Sequence, residues 1–426
     1  MSSDSRQESS PAASVDEKVP RQVKPESVSK PAPPPVPPSL PEGGLYGWLA
    51  VLGAALALFA TFGAALSFGV FQDYYTRVFL NEHSPSAISW IGSTQLFLDF
   101  AVGLPTGKLY DAGYFRLTMV AGSLLYVFSF FMLSLAKPHH YYQVFLCQAI
   151  GMGVGMGLVI VPALSLPSHY FRRRRSLAMG LVFAGSSLGG VVYPIMLNHL
   201  INSSLGFAWG VRATAFMVLG LLIIANLISR PNYPVKAASA TAQQTSIFSL
   251  FLDVPYMIAI VGSGLVLWGL FFPYFYLQLF AVFRGVDEKL AFYSLTVMNA
   301  ATVFGRTLPN AVADAYGAFN VAIPMTTITG GLLFAMLGAT KPASMFVFAA
   351  LYGFFSGALG SRIGVGMFII SFALLTGYPI TGALLRPPEY LWLHAIIFGG
   401  VVILAGACFL VLARSLASKK RETWRL

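Results

Sequence analysis

"GKLYDAGYFR", residues 107–116, closes a long apolar run with an acid, a glycine and a base. A looser version, "GRTLPNAVADAYGAFN", occupies 305–320. Both place an Asp just ahead of a Gly: Asp111 with Gly113, then Asp314 with Gly317. An acid followed by glycine suits a tight turn between helices, because glycine enters the left-handed conformation without strain. The acid can also face the N-terminus of a neighbouring helix, where negative charge is favoured. One such pair is a weak signal. Two, each after the second apolar run of a block of six, argue for an internal duplication.

The runs around these turns set the architecture. A membrane-crossing helix needs about 20 mostly apolar residues. Such runs occupy 46–70, 87–107, 115–136, 141–163, 175–198, 208–229, 254–280, 290–312, 319–339, 343–360, 362–385 and 391–414. The expected fold is an all-α polytopic membrane protein with 12 transmembrane helices in two six-helix halves. Composition agrees: 56% of the 426 residues are hydrophobic and only 10% are charged, against about a quarter in soluble domains. The expected organisation is a disordered Pro-rich cytoplasmic tail at 1–44 and an N-terminal half at 45–230. A cytoplasmic linker at 231–253, a C-terminal half at 254–414 and a cytoplasmic tail at 415–426 complete it. No apolar stretch precedes residue 45, so the tail is not a secretory signal peptide.

Charge placement gives the expected orientation. With the N-terminus inside, 19 Lys and Arg fall in inner segments and 7 in outer loops. Positive charge accumulates on the cytoplasmic side of membrane proteins, so both termini are expected in the cytoplasm, most simply at the plasma membrane. Arg172, Arg173, Arg174 and Arg175 fill the short loop between helices 4 and 5 and hold it inside. The net charge of +11 is read as this asymmetry, so no nucleic-acid partner is expected. Cys147 and Cys408 lie in separate apolar runs and do not suggest a disulfide framework.

These motifs carry a resemblance. The chain resembles the major facilitator superfamily, whose loop signature between helices 2 and 3 is approximated by Gly107, Asp111, Gly113 and Arg116. More narrowly it looks like the fungal form of the monocarboxylate-porter branch. "PEGGLYGWLAVLG" (41–53) is similar to that branch's start of helix 1. "HYFRRRRSLAMGLVFAGSSLGGVVYP" (169–194) is similar to its loop and helix 5, and "GRTLPNAVAD" (305–314) to its helix 8 end. The resemblance implies alternating access with a substrate site between the halves. It implies that Arg306, matching an arginine of helix 8, meets a substrate anion. Two departures stand out. Residues 46–70 contain no Lys or Arg, whereas animal members carry a lysine in helix 1. The "GALG"–"SRIG" junction at 357–364 leaves almost no loop, a shortened helix 10–11 region.

The residues themselves nominate a site. Arg306 lies well inside an apolar span, and an intramembrane arginine is a functional candidate by default. Its planar fork matches a carboxylate; the bland reading is snorkelling to the interface. Asp99, the acid deepest in a span, suits a proton carrier. Otherwise it pairs with Arg306 or bonds a neighbouring helix. Asn299, Phe272 and Tyr276 are the further substrate-binding candidates. Gly151, Gly153, Gly155 and Gly157 in helix 4, with Gly180, Gly185, Gly189 and Gly190 in helix 5, read as close-packing faces. His199 and His394 read as interfacial. Asn202-Ser203-Ser204 is a glycosylation sequon in an outer loop.

The leading function is secondary active transport of an organic acid or amphipathic acidic metabolite, driven by protons. Efflux of a fungal secondary metabolite is favoured over uptake of a small monocarboxylate or a vitamin such as riboflavin. A non-transporting sensor is the other alternative; the short tails count against it. No enzyme, cofactor, metal site or obligate protein partner is expected. The expected partners are a small-molecule substrate and the lipid bilayer.

Overall fold

The structure is a computed structural model that describes residues 43–201, 203–231, 252–357, 366–385 and 391–421. The N-terminal tail, most of the 231–253 linker, Asn202 of the sequon and the helix 10–11 junction therefore lie outside the described residues. No strand occurs among the described residues, and the elements are helices throughout. Twelve helical segments follow in chain order: α1 (Gly44–Phe79), α2 (Pro85–Asp111), α3 (Phe115–Leu133), α4 (Tyr141–His169), α5 (Arg175–Ile201) and α6 (Gly206–Ile228). Then come α7 (Val254–Phe283), α8 (Glu288–Tyr316), α9 (Ala318–Gly338), α10 (Pro342–Gly357), α11 (Gly366–Leu385) and α12 (Trp392–Arg421).

Ten of these are long and apolar enough to cross a membrane. The other two are α8, which carries the polar stripe described below, and α10. At 16 residues α10 spans roughly 24 Å, short of a hydrocarbon core about 30 Å thick. Helix ends differ from the expected spans at several points. α1 runs on to Phe79 instead of ending near 70, because Tyr74, Tyr75 and Phe79 all pack on Phe207 of α6. α12 continues through Arg421 into what reads as tail.

The duplication is visible in packing. α1 lies against α5 and α6, α2 against α4, and α3 against α4 and α6. Six helices later, α7 lies against α11 and α12, α8 against α10, and α9 against α10 and α12. Two further pairings, α5 with α8 and α2 with α11, join the halves.

The glycines explain how the backbones come so close. In α4 a side chain on Gly151 would hit Ser129, and one on Gly155 would lie 2.7 Å from the Tyr126 amide, both on α3. Gly153 and Gly157 point the other way, onto the backbone of Gln95 and Asp99 in α2. "GMGVGMG" is thus two interleaved small-residue faces, each repeating every four residues, as close helix packing requires. α5 divides its glycines similarly: Gly185 and Gly189 meet α1, while Gly180 and Gly190 meet α8.

α1 and α7 are both interrupted. α1 breaks at Thr61, whose hydroxyl bonds back to the Ala57 carbonyl at 2.8 Å, a contact that bends helices. α7 breaks at Phe271, two residues before Pro273, which has no N–H to continue the ladder. Buried tyrosines meet carbonyls at both breaks. Tyr193 donates to Ala60 O at 3.0 Å, Tyr126 to Thr61 O at 3.2 Å beside the Ala65 N–H, and Tyr352 to Leu270 O at 2.6 Å. An apolar interior offers a freed carbonyl no water, so it needs such a partner.

Candidate functional site

Four polar residues of α8 form a stripe: Asn299, Arg306, Asn310 and Asp314, at i, i+7, i+11 and i+15. That spacing keeps them within about a quarter of the helix circumference. The stripe faces α5 of the other half. Asp314 accepts from the backbone N–H groups of Ser176 and Leu177, both at 2.9 Å, so α8 caps the first turn of α5 in trans. Arg306 donates to the Phe183 carbonyl at 2.7 Å and to the Ser186 hydroxyl, with its guanidinium 5.6 Å from the centre of the Phe183 ring. Asn310 donates to Arg306 O at 2.6 Å, beside Gly180. Asn299 donates to Gly190 O at 3.1 Å and to Leu295 O at 3.2 Å.

Arg306 therefore turns sideways into the seam between halves and does not snorkel to an interface. No ion pair joins it to Asp99. Asp99 sits on α2 inside the N-terminal half, fully buried, and neither carboxylate oxygen has a hydrogen-bond partner. Phe272 and Tyr276 lie on the second segment of α7, both buried, with ring centres 5.5 Å apart. They belong to a packed aromatic interior. Tyr274 between them holds Thr302 of α8 and Ser356 of α10, each at 3.0 Å. Thr302, Ser356, Ser186 and Asn310 were not nominated by the sequence. The α8 stripe was the signal that could have found Asn310.

The loop residues sit at the end of the bundle that carries Arg172 to Arg175. Those four arginines are exposed. Gly113 and Gly317 both adopt positive φ, 91° and 94°, and close the ends of α2 and α8 as their spacing predicts. Arg116 donates to Asn226 O at 2.8 Å and ties α3 to the end of α6. Gly107 packs lightly against Val161 of α4. Asp111 is exposed, and the segment it would face by analogy with Asp314, residues 358–365, lies outside the described residues. The two signature motifs touch. Gly43 N–H donates to Tyr170 O at 3.0 Å, and the Trp48 and Phe171 rings meet edge to face at 5.0 Å. No group of metal-binding side chains occurs among the described residues.

A helical bundle of two pseudo-repeated halves, with charged and amide side chains concentrated on one seam between them, has the architecture of a membrane transporter. The chain belongs to the Major Facilitator Superfamily, whose family model matches residues 47–361. It is 39% identical over 391 residues to an MFS-type transporter, dbaD, of Emericella nidulans, covering 87% of this chain and 86% of that one. It is 39% identical over 402 residues to an aspyridones efflux protein of the same fungus, covering 90% and 80%. An agnestins efflux protein of Paecilomyces divaricatus is 39% identical over 383 residues, covering 86% and 87%. In fold it is similar to the transporter FucP in its outward conformation, with TM-score 0.61, 15% identity, and 86% and 98% of the two chains covered. The protein is a multi-pass membrane transporter of small molecules, not an enzyme.

Proposed function

We propose that this transporter exports an amphipathic acidic metabolite across the plasma membrane, coupled to protons, with both termini in the cytoplasm. The observation that carries the reading is the α8 stripe. Arg306 and Asp314 pin the halves together at the arginine-loop end, and the charge distribution supports reading that end as cytoplasmic. Release of that seam is the inward opening. It also frees the Arg306 guanidinium, the group best suited to a carboxylate or other acidic oxygen. Export is supported by relatives that carry "efflux" in their names. The contact between the 41–53 and 169–194 motifs supports the monocarboxylate-porter-like branch.

Asp99 is the proton carrier in this reading. Its oxygens take no donor from the protein, so proton uptake and release break no existing bond. Asp99→Asn should flatten the pH dependence of transport in membrane vesicles. An unchanged pH profile removes Asp99 from the coupling. The direct test of direction is metabolite profiling of cells and medium with and without the gene. A compound retained in the deletion cells establishes export. A compound left unconsumed in the medium establishes uptake of a monocarboxylate or vitamin instead, and no difference at all favours a sensor.

A further inference from the structure

Tyr378, on α11, is only 4% exposed, yet its hydroxyl has no hydrogen-bond partner. Buried polar groups are normally satisfied, and an unsatisfied one is costly. The ring itself is held firmly. It packs on Phe275 with centres 4.2 Å apart and on Phe271 at 6.1 Å. Phe275 in turn meets Phe68 of α1 at 5.7 Å, across the division between halves.

Asn299 on α8 also has an unpartnered Oδ1, but its amide lies against Gly190 of α5, in the polar seam. Around Tyr378 the helices come close: a side-chain carbon on Gly69, next to Phe68, would lie 3.4 Å from Tyr274 O. Phe68, Phe275 and Tyr378 thus border one region where α1, α7 and α11 meet. It offers aromatic faces and one free hydroxyl donor.

We infer that this region is a subsite for an aromatic ring bearing a hydroxyl or carbonyl oxygen, with Tyr378 as a specificity-determining residue. Tyr378 donates to the oxygen of the cargo, and the Phe68 and Phe275 faces hold the ring. The inference rests on the export reading and narrows its cargo. Arg306 is committed to Phe183 and Ser186 in this state, so recognition in the core falls to uncharged hydrogen-bonding groups. Closing over such a cargo supplies the partner that Tyr378 lacks.

The test uses the purified full chain in lipid nanodiscs, with 2-naphthol and oxygen-free naphthalene as probes. Binding is read by equilibrium dialysis, with partition into empty nanodiscs subtracted. The wild-type protein should bind 2-naphthol more tightly than naphthalene. Tyr378→Phe should weaken 2-naphthol by about three- to tenfold, the worth of one neutral hydrogen bond. Naphthalene binding and Tm should stay unchanged, because the lost hydroxyl bonds nothing in the protein. Equal binding of the two probes by wild type, or wild-type affinity for 2-naphthol in Tyr378→Phe, overturns the subsite. Failure of the export reading shows separately, as no compound retained in the deletion cells.

Discussion

The two largest seams between the halves are built differently. Between α5 and α8 the contact is polar and directional. Asp314 caps α5, Arg306 bonds a carbonyl and a hydroxyl of α5, and Asn299 bonds the Gly190 carbonyl. Gly180 and Gly190 let α8 approach so closely that a methyl group on either would collide with it. Between α2 and α11 the contact is apolar: Phe97 meets Phe372 edge to face at 5.3 Å, and Gly382 lies near the Ser86 backbone. Directional bonds have two states, made or broken, whereas an apolar face can slide with little change in energy. The pseudo-repeat thus supplies two equivalent helix pairs and gives the latch to one of them. These bonds run from the arginine-loop end of α5 as far as Gly190.

The largest effect should come from removing the centre of the latch. Arg306→Ala takes away both bonds to α5, although the Phe183 carbonyl keeps the Ser186 hydroxyl as donor. It also removes the cation that meets an acidic cargo. Transport in vesicles should fall to background while protein level and membrane insertion stay normal. Full transport by that variant would show the seam to be held by other means. Arg306→Lys should restore little, because an ammonium cannot reproduce the guanidinium's fork.

A smaller effect should follow Asp314→Asn. The carboxylate caps two N–H groups of α5 from the other half. A charge on a helix N-terminus is typically worth about 1 kcal/mol or less, and exposure to solvent reduces that. An asparagine retains one acceptor oxygen, so the latch loosens without opening fully. A Ser186→Cys reporter should become a few times more reactive to a water-soluble thiol reagent from the arginine-loop side, with transport reduced but present. Unaltered reactivity would mean that Asp314 holds the loop and not the seam.

Much of this was legible in the sequence, for reasons that differ by residue. The helices were legible because a bilayer demands long apolar runs, and the glycine faces because close approach leaves no other residue possible. Asp314 as a helix cap was readable from the paired Asp–Gly turns. Which helix it caps was not, since Ser176 lies 138 positions away. Arg306 stood out as a charge in an apolar span, but its partners, a carbonyl and a hydroxyl on α5, carry no sequence signal. Tyr378 was invisible: one tyrosine among 19, distinguished only by a hydroxyl that nothing meets. The break in α7 was signalled by Pro273. The break in α1 depends on Thr61 and on distant tyrosines, and had no such mark.

The smallest effect should come from the apolar seam. Phe372 is 50% exposed, and among the described residues its ring partner across the halves is Phe97. An aromatic pair contributes about 0.5–1.5 kcal/mol beyond its area, and half of this side chain already lies outside the protein's packing. Phe372→Leu keeps most of the volume, a change that cores tolerate for less than about 1.5 kcal/mol. Lipid replaces the lost contact with chemistry of the same kind, so either access state should be affected nearly equally, and a perturbation shared by both states shifts no equilibrium. Transport and its cargo affinity should therefore stay within about twofold of wild type. A loss as deep as that of Arg306→Ala would mean that α2 and α11 also carry a latch, and that the two seams are alike in function despite their different chemistry.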